Sequence, residues 1–370
     1  MNILFIAPFS LPHTGNSLPI KVMYDHLIAK HDVSVINLSK GSYSSGGFAL
    51  RKVYQTLCIL FNVWKQSRNK DIIYLTIAES FGGNMRDLLI YIICRKKLDN
   101  VIIHMLGGAM MRSIIEKRRG FQFKLNKYFI SRLAGVIVEG KMQADFFSIV
   151  TQSNKIHIVP NFAEEYLFAS EEMIEEKFSS TKPVKILFLS NLLHGKGYME
   201  LAQAFLSLNE DLRKQFEIDF AGGFETEKDQ NDFLKIIQDD DRITYRGHVI
   251  GETKRSLYFN AHVFCLPTYY PYEGQPFCIL EAYAAGNVVV TTAHSGIPHI
   301  FNSDNGYEVE KGSVESLQNT MVKILEQRKL LKNIALHNLR EAQQKYSVER
   351  YKSDIKKALN SHACIEINLS

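Results

Sequence analysis

The residues most able to do chemistry lie in PTYYPYEGQPFCILEAYAAG, residues 267–286. Pro276 suits the first helical position and Gly286 the left-handed residue that closes a helix, so a short helix is predicted between them. Ala282, Ala284 and Ala285 make it thin enough to pack closely. The N–H groups of Gly274, Gln275, Phe277 and Cys278 at its amino end can bind an anion, which the helix dipole also favours. Glu273 stands just before the helix, and Glu281 follows eight positions later. Such carboxylates can accept hydrogen bonds from the hydroxyls of a sugar or ribose. The plainer alternative is a capping glutamate and an exposed helical one.

Three further segments carry polar groups at strand ends. In SNLLHGKGYMELAQAF, Lys196 sits between Gly195 and Gly197 in the turn entering an amphipathic helix, where it can reach a diphosphate. The spacing is not that of a Walker A loop. In HMLGGAMMRS, His104 ends an apolar run before Gly107–Gly108, and can face a substrate or sit satisfied in the core. In PFSLPHTGNSLPI, Gly15 and Asn16 can meet a phosphate or an acceptor at a helix start. Other features promise less. Asp239-Asp240-Asp241 reads as a solvated turn, Gly222–Gly223 as a close backbone approach, and no histidine pair has metal-ligand spacing.

Short apolar runs alternating with amphipathic stretches would position these groups, the pattern of an α/β fold with parallel sheets. Strands are predicted at Ile3–Ala7, Val33–Asn37, Ile72–Thr76, Val101–Met105 and Gly135–Glu139. Helices are predicted near 18–30, 47–68, 84–97 and 112–133. A second cycle runs through Lys185–Ser190, Phe216–Ala221, Arg242–Arg246, Val263–Pro267, Val288–Thr292 and Gly306–Val309. The Glu-rich stretch Asn161–Pro183 reads as a linker between two doubly wound domains, 1–163 and 184–346. A final helix at Val348–Asn360, within about 350–370, would brace the first domain. Ligands of such sheets bind beyond the carboxyl ends of the strands.

The chain has 370 residues, 46% apolar and 22% charged, which excludes a disordered tail or a coiled coil. It contains no apolar run long enough for a membrane span. MNILFIAPF lacks a basic lead and reads as a first strand rather than a secretory signal. The five cysteines are scattered without a C-x-x-C pair, which fits buried thiols in a reducing cytoplasm. The net charge of +5 hides a division: residues 1–165 hold 21 Lys and Arg against 11 Asp and Glu, a net of +10, leaving −5 for the rest.

The Glu273/Glu281 pair, the SNLLHGKG loop, the TTAHSGIPHI segment and the HMLGG strand end, in this order and spacing, resemble family 4 of the retaining glycosyltransferases. The resemblance spans nearly the whole chain and implies the GT-B architecture, two facing Rossmann-like domains with a cleft between them. It implies that the second domain binds a nucleotide-sugar donor, UDP- or GDP-linked. Glu281 would hold the ribose hydroxyls and Glu273 the donor sugar near its reacting carbon. Backbone N–H groups from Gln275 through Ile279, with Gly274 and Pro276 in the same turn, would lie against phosphate and sugar. Lys196 would neutralise the departing diphosphate, and Gly247–Val249 would lie beside the base. His104 would contact the donor sugar from the first domain, and Gly15–Asn16 would line the reaction centre. One position departs from the family: Asn191 replaces the arginine that usually accompanies Lys196, so a charge is lost or supplied elsewhere.

The resulting expectation is retaining, metal-independent sugar transfer, without a cofactor, to a saccharide or lipid-linked acceptor in bacterial surface polysaccharide biosynthesis. The segments Leu50–Arg68 and Arg112–Arg132 mix basic and apolar residues and suit an anionic membrane surface, so a cytoplasmic, peripheral membrane location is expected. No nucleic-acid motif is present. The alternatives are a sugar-nucleotide epimerase and a catalytically silent sugar-nucleotide-binding subunit.

Overall fold

Buried strands with side chains covered on both faces need near-continuous apolar runs and helices above and below. The chain supplies both twice. The computed structural model describes residues 1–9, 17–39, 48–78, 80–107, 109–179 and 183–361. It divides into two compact units, one of residues 1–160 with the chain from Tyr351 onward, the other of residues 161–350.

In the first unit the order is β1 (Asn2–Ala7), α1 (Leu18–Ile28), β2 (Asp32–Asn37), α2 (Phe48–Gln66), β3 (Ile72–Thr76) and α3 (Phe81–Ile93). It continues with β4 (Val101–Met105), α4 (Ala109–Glu116), α5 (Gly120–Ile130), β5 (Gly135–Val138), α6 (Lys141–Phe147) and β6 (Ile156–Ile158). The six strands form one parallel sheet in the order β2-β1-β3-β4-β5-β6. β3 and β4 are buried at every position. Each fully buried aliphatic side chain contributes about 1.5–3 kcal/mol.

The second unit runs α7 (Glu171–Ser179), β7 (Val184–Leu189), α8 (Tyr198–Leu206), α9 (Glu210–Arg213), β8 (Phe216–Ala221), α10 (Glu227–Ile237), β9 (Ile243–Tyr245) and α11 (Gly251–Asn260). Then come β10 (Val263–Leu266), α12 (Phe277–Ala284), β11 (Val288–Thr291), β12 (Gly306–Glu308), α13 (Val314–Glu326) and α14 (Leu331–Lys345). Its parallel sheet has the order β12-β11-β10-β7-β8-β9. The last helix, α15 (Val348–Asn360), starts in this unit and from Tyr351 belongs to the first, where Tyr351, Ile355 and Leu359 are buried.

Two sequence expectations need correction. The stretch read as a linker is folded into the second unit: Ile174 of α7 is fully buried in a cluster with Ala335 and Leu339 of α14. Only one of the nine residues of α7 needs burial, so its Glu-rich sequence resembled solvated chain. The helix expected over 112–133 is broken between α4 and α5, where Arg118 and Gly120 take positive φ values of 50° and 88°.

Candidate functional site

The polar groups at the carboxyl end of the second sheet are arranged by short strand–helix turns. Gly197 opens α8 with φ +86°, and a Cβ there would lie 2.5 Å from the Pro267 carbonyl oxygen. Only glycine permits both the left-handed backbone and this approach. The turn after β7 therefore packs against the turn after β10, where Tyr269 N–H donates to the Gly195 carbonyl at 2.7 Å. Gly222, in the turn after the neighbouring β8, permits a similar approach: a Cβ there would meet the Ser190 carbonyl oxygen.

This packing brings Lys196 and Glu273 together across 77 residues of sequence. Lys196 Nζ lies 2.7 Å from Glu273 Oε2, with the two side chains 11% and 8% exposed. The Thr268 hydroxyl donates to the same oxygen at 3.0 Å, and the ammonium sits 5.0 Å from the centre of the Tyr270 ring. Glu273 takes one of the three donors of a lysine ammonium, leaving capacity for an anionic ligand. The loop bearing Glu273 is fastened by the TTAHSG segment. The Ser295 hydroxyl donates to the Glu273 carbonyl at 2.5 Å, the His294 ring pairs with the Tyr270 carbonyl at 2.8 Å, and the Thr292 hydroxyl donates to the Thr268 carbonyl.

Glu281 is buried on α12, so the exposed-glutamate alternative fails. Its Oε1 accepts from Lys254 Nζ at 2.6 Å and its Oε2 from the Tyr258 hydroxyl at 2.9 Å. Both donors stand one turn apart on α11. Burial pulls the Lys254 ammonium down, but the adjacent Glu281 carboxylate more than reverses this, so its pKa lies above the usual lysine value. Tyr258 is pushed well above the ordinary phenol value, by burial first and by Glu281 second.

The first turn of α12 lies within electrostatic reach of both ion pairs. Burial pushes the Cys278 thiol up to about 12, and the charges of Lys196, Glu273, Glu281 and Lys254 all act on it. Cys278 is thus a protonated wall of the site rather than a nucleophile. Pro276 is the N-cap residue rather than the first helical one; its side chain makes no capping bond, and the Ile279 N–H donates to the Pro276 carbonyl at 3.2 Å. An uncapped helix start leaves N–H donors for an anion. Gln275 is buried: its side-chain oxygen accepts from Asn161 N–H at 2.6 Å and its carbonyl from Asn161 Nδ2 at 3.0 Å. At the other end of α12, Lys177 Nζ donates to the carbonyls of Ala285 and Gly286 at 3.1 and 3.0 Å, capping the helix.

Of the residues singled out by sequence, Glu273, Gly274, Gln275, Pro276, Phe277, Cys278, Ile279, Glu281 and Lys196 are gathered around α12. Asn191 is exposed beyond β7. Gly247 and Val249 lie in the turn after β9, where the Gly247 carbonyl accepts from Gly222 N–H at 2.8 Å. The acidic triplet is a solvated turn only at Asp239 and Asp241; Asp240 is buried and pairs with Arg242 at 3.1 Å and Arg213 at 3.4 Å. In the first unit, His104 is 1% exposed, its Nδ1 lies 2.6 Å from the Tyr74 hydroxyl, and burial lowers its pKa to about 3. These are the contacts of a core histidine, and its role toward a donor sugar rests on the resemblance alone. Gly15 and Asn16 lie outside the described residues. Lys254, Tyr258 and Lys177 were not anticipated. A lysine and a tyrosine four apart on one helix are unremarkable until the carboxylate between them is placed.

Comparison with known proteins shows what this chain is similar to. Residues 169–345 match the family model of the glycosyl transferases group 1. That match falls within the second unit, which is similar to this family over nearly its whole length. The chain is 27% identical over 165 residues to the capsular polysaccharide biosynthesis glycosyltransferase CapM of Staphylococcus aureus, covering 43% of this chain and 41% of that protein. It is 27% identical over 177 residues to the uncharacterized glycosyltransferase MJ1607 of Methanocaldococcus jannaschii, covering 45% and 44%. The match thus spans about two fifths of the length of these curated relatives. The whole fold is shared with Anabaena Alr3699/HepE in complex with UDP, at a TM-score of 0.73 and 16% identity over 98% of this chain and 100% of that one. Two Rossmann-like units with parallel sheets make this a GT-B fold, and the similarity to glycosyltransferases falls on residues 169–345 of the second unit.

Proposed function

We propose that this chain transfers a sugar from a nucleotide-sugar donor, UDP- or GDP-linked, to a saccharide or lipid-linked acceptor in surface polysaccharide biosynthesis. The observation that carries this reading is the first turn of α12, uncapped and set between the buried pairs Lys196–Glu273 and Lys254–Glu281. Lys196 and the helix start would meet the charge that develops on the departing diphosphate. Glu281, oriented by Lys254 and Tyr258, keeps lone pairs for the ribose hydroxyls. Two relatives support the choice of chemistry: CapM is named for capsular polysaccharide biosynthesis, and HepE binds UDP.

Transfer would proceed with retention and without a metal ion. The bond from the anomeric carbon to the phosphate oxygen breaks and the bond to the acceptor oxygen forms on the same face. The acceptor proton passes to the leaving phosphate oxygen. Glu273, already engaged by Lys196 and Thr268, would position and stabilise rather than attack, unlike a glycosidase nucleophile. The proposed setting is the inner face of the cytoplasmic membrane, where a lipid-linked acceptor would be met.

The test is release of nucleoside diphosphate and product analysis across a panel of sugar nucleotides, for the wild type, Lys196→Ala and Glu281→Ala. Donor-dependent transfer that both variants lose supports the assignment; wild-type rates in both sink it. Asn191, in place of the family arginine, favours a second reading as a silent donor-binding subunit. That reading requires donor binding with no turnover in the wild type.

A further inference from the structure

A helix lying on a sheet needs one apolar face, but α2 has two. Val63, with Ile59 and Leu60 beside it, packs into the core of the first unit. On the opposite side Val53, Tyr54, Leu57, Phe61 and Trp64 are each at least half exposed. At 100° per residue these five fall within a stripe about 100° wide and roughly 17 Å long.

The stripe continues onto neighbouring helices. With the observed strand order, right-handed crossovers place α2, α3 and α5 on the same side of the sheet. α3 touches both α2 and α5. It is tied to α5 by a buried reciprocal amide pair, in which Asn84 and Asn126 each donate to the other at 3.1 Å. α3 exposes Phe81, Leu89 and Ile92, and α5 exposes Phe121, Leu125 and Tyr128. Both sets repeat at helical spacing, so each helix presents one outward ridge. Eleven large side chains, each between about a third and two thirds exposed and at 150–250 Å² for a whole aromatic, amount to roughly 1,000 Å² of apolar surface. A soluble monomer's largest patch is roughly 300–600 Å².

Charge says what covers it. Residues 48–132 hold sixteen Lys and Arg against five Asp and Glu, a net of +11. Residues 117–132, which include α5, hold six of these cations and no acid. Two arginines lie over aromatics of the patch itself: Arg68 is 4.5 Å from the Trp64 ring centre and Arg132 is 3.8 Å from that of Tyr128. A second copy of this face would repel it. Nucleic acid would match the cations but leave the aliphatic ridges of Leu57, Leu89 and Ile92 without an apolar partner. An anionic lipid surface satisfies both halves, with phosphate headgroups for the cations and acyl chains for the ridges.

We propose that the outer face of α2, α3 and α5 docks this protein on an anionic membrane. The proposal deepens the membrane location suggested above by assigning its surface, and its test needs neither donor nor acceptor. The full-length chain is sedimented with vesicles of phosphatidylcholine alone and of phosphatidylcholine mixed with phosphatidylglycerol, at low and high salt. The wild type should sediment with the anionic vesicles and release with salt. At about 1 kcal/mol per cation, or fivefold, Lys124→Gln with Lys127→Gln should weaken partition about 25-fold. Phe61→Ser with Trp64→Ser should weaken it at least tenfold at either salt concentration.

Thermal unfolding verifies that each variant is folded, and the glutamine pair stands as the test if the serine pair is not. Failure of the wild type to sediment overturns the proposal, as does equal binding to both vesicle types or binding untouched by either variant pair. A lipid-free dimer dissolved by Trp64→Ser would assign the face to a second copy instead. Sedimentation without sugar transfer would count only against the transferase reading, and transfer without sedimentation only against this one.

Discussion

Removing the Lys254 ammonium probes the energetics of the site most sharply. In Lys254→Met the stem is replaced by a side chain of similar length and the charge is lost. Glu281 then keeps the Tyr258 hydroxyl but has no countercharge, while its side chain is 5% exposed. Breaking a buried pair by removing one partner costs about 3–5 kcal/mol, because the other charge is left desolvated. Lys254 is itself 16% exposed and the Tyr258 bond persists, so the expected loss is roughly 2–4 kcal/mol. Urea unfolding would report it as a lower midpoint at unchanged slope. The double variant Lys254→Met/Glu281→Gln removes the stranded charge and should recover at least about 1 kcal/mol of that loss. Lys254→Arg should retain most of the stability. A cost below about 0.5 kcal/mol for Lys254→Met, or strict additivity in the double variant, would refute the claim that the two groups hold each other.

Three other outcomes follow from the geometry. Lys196→Ala should lower the rate of donor turnover by about 10²–10³-fold, the loss typical of removing one group that stabilises transition-state charge, with Lys196→Arg recovering some of it. Gly197→Ala should destabilise the protein by about 2 kcal/mol or more, read by chemical denaturation, since the new Cβ would enter the Pro267 carbonyl from a left-handed backbone. The His104 ring, with its pKa near 3, should show a constant Cε1 proton shift by NMR from pH 8 down to about 4. Between the unfolded value of about 6.5 and the folded one, only the unfolded ring binds a proton. Stability should therefore fall as pH drops through this window, and His104→Gln should flatten that decline.

Strands were the most legible elements of the sequence. β3, β4 and β8 lie at the predicted residues, the first two as near-continuous apolar runs and the third as an alternating one that ends at Gly222–Gly223. β6 and α6 were not among the predicted elements; β6 is an edge strand with no buried residue and so lacks an apolar run, and α6 has only seven residues. The α12 region was readable from proline, glycine and the two glutamates, yet what holds those glutamates was not. Lys196 and Glu273 are 77 positions apart, and Lys254 and Glu281 are 27 apart, so tertiary packing alone discloses the pairing. The opposed faces of α2 were hidden for a related reason. Periodicity marks which residues are apolar, but only the structure separates those on the sheet from those in solvent.

The central claim is that the turn between the two ion pairs binds the nucleoside diphosphate of a sugar donor. Calorimetric titration of the full-length chain with UDP, GDP and their sugar conjugates tests it directly, using the wild type and Glu281→Ala side by side. The account predicts saturable binding of at least one of these nucleotides by the wild type, weakened tenfold or more in the variant. Absence of binding for every nucleotide, or equal affinity in both proteins, would contradict it.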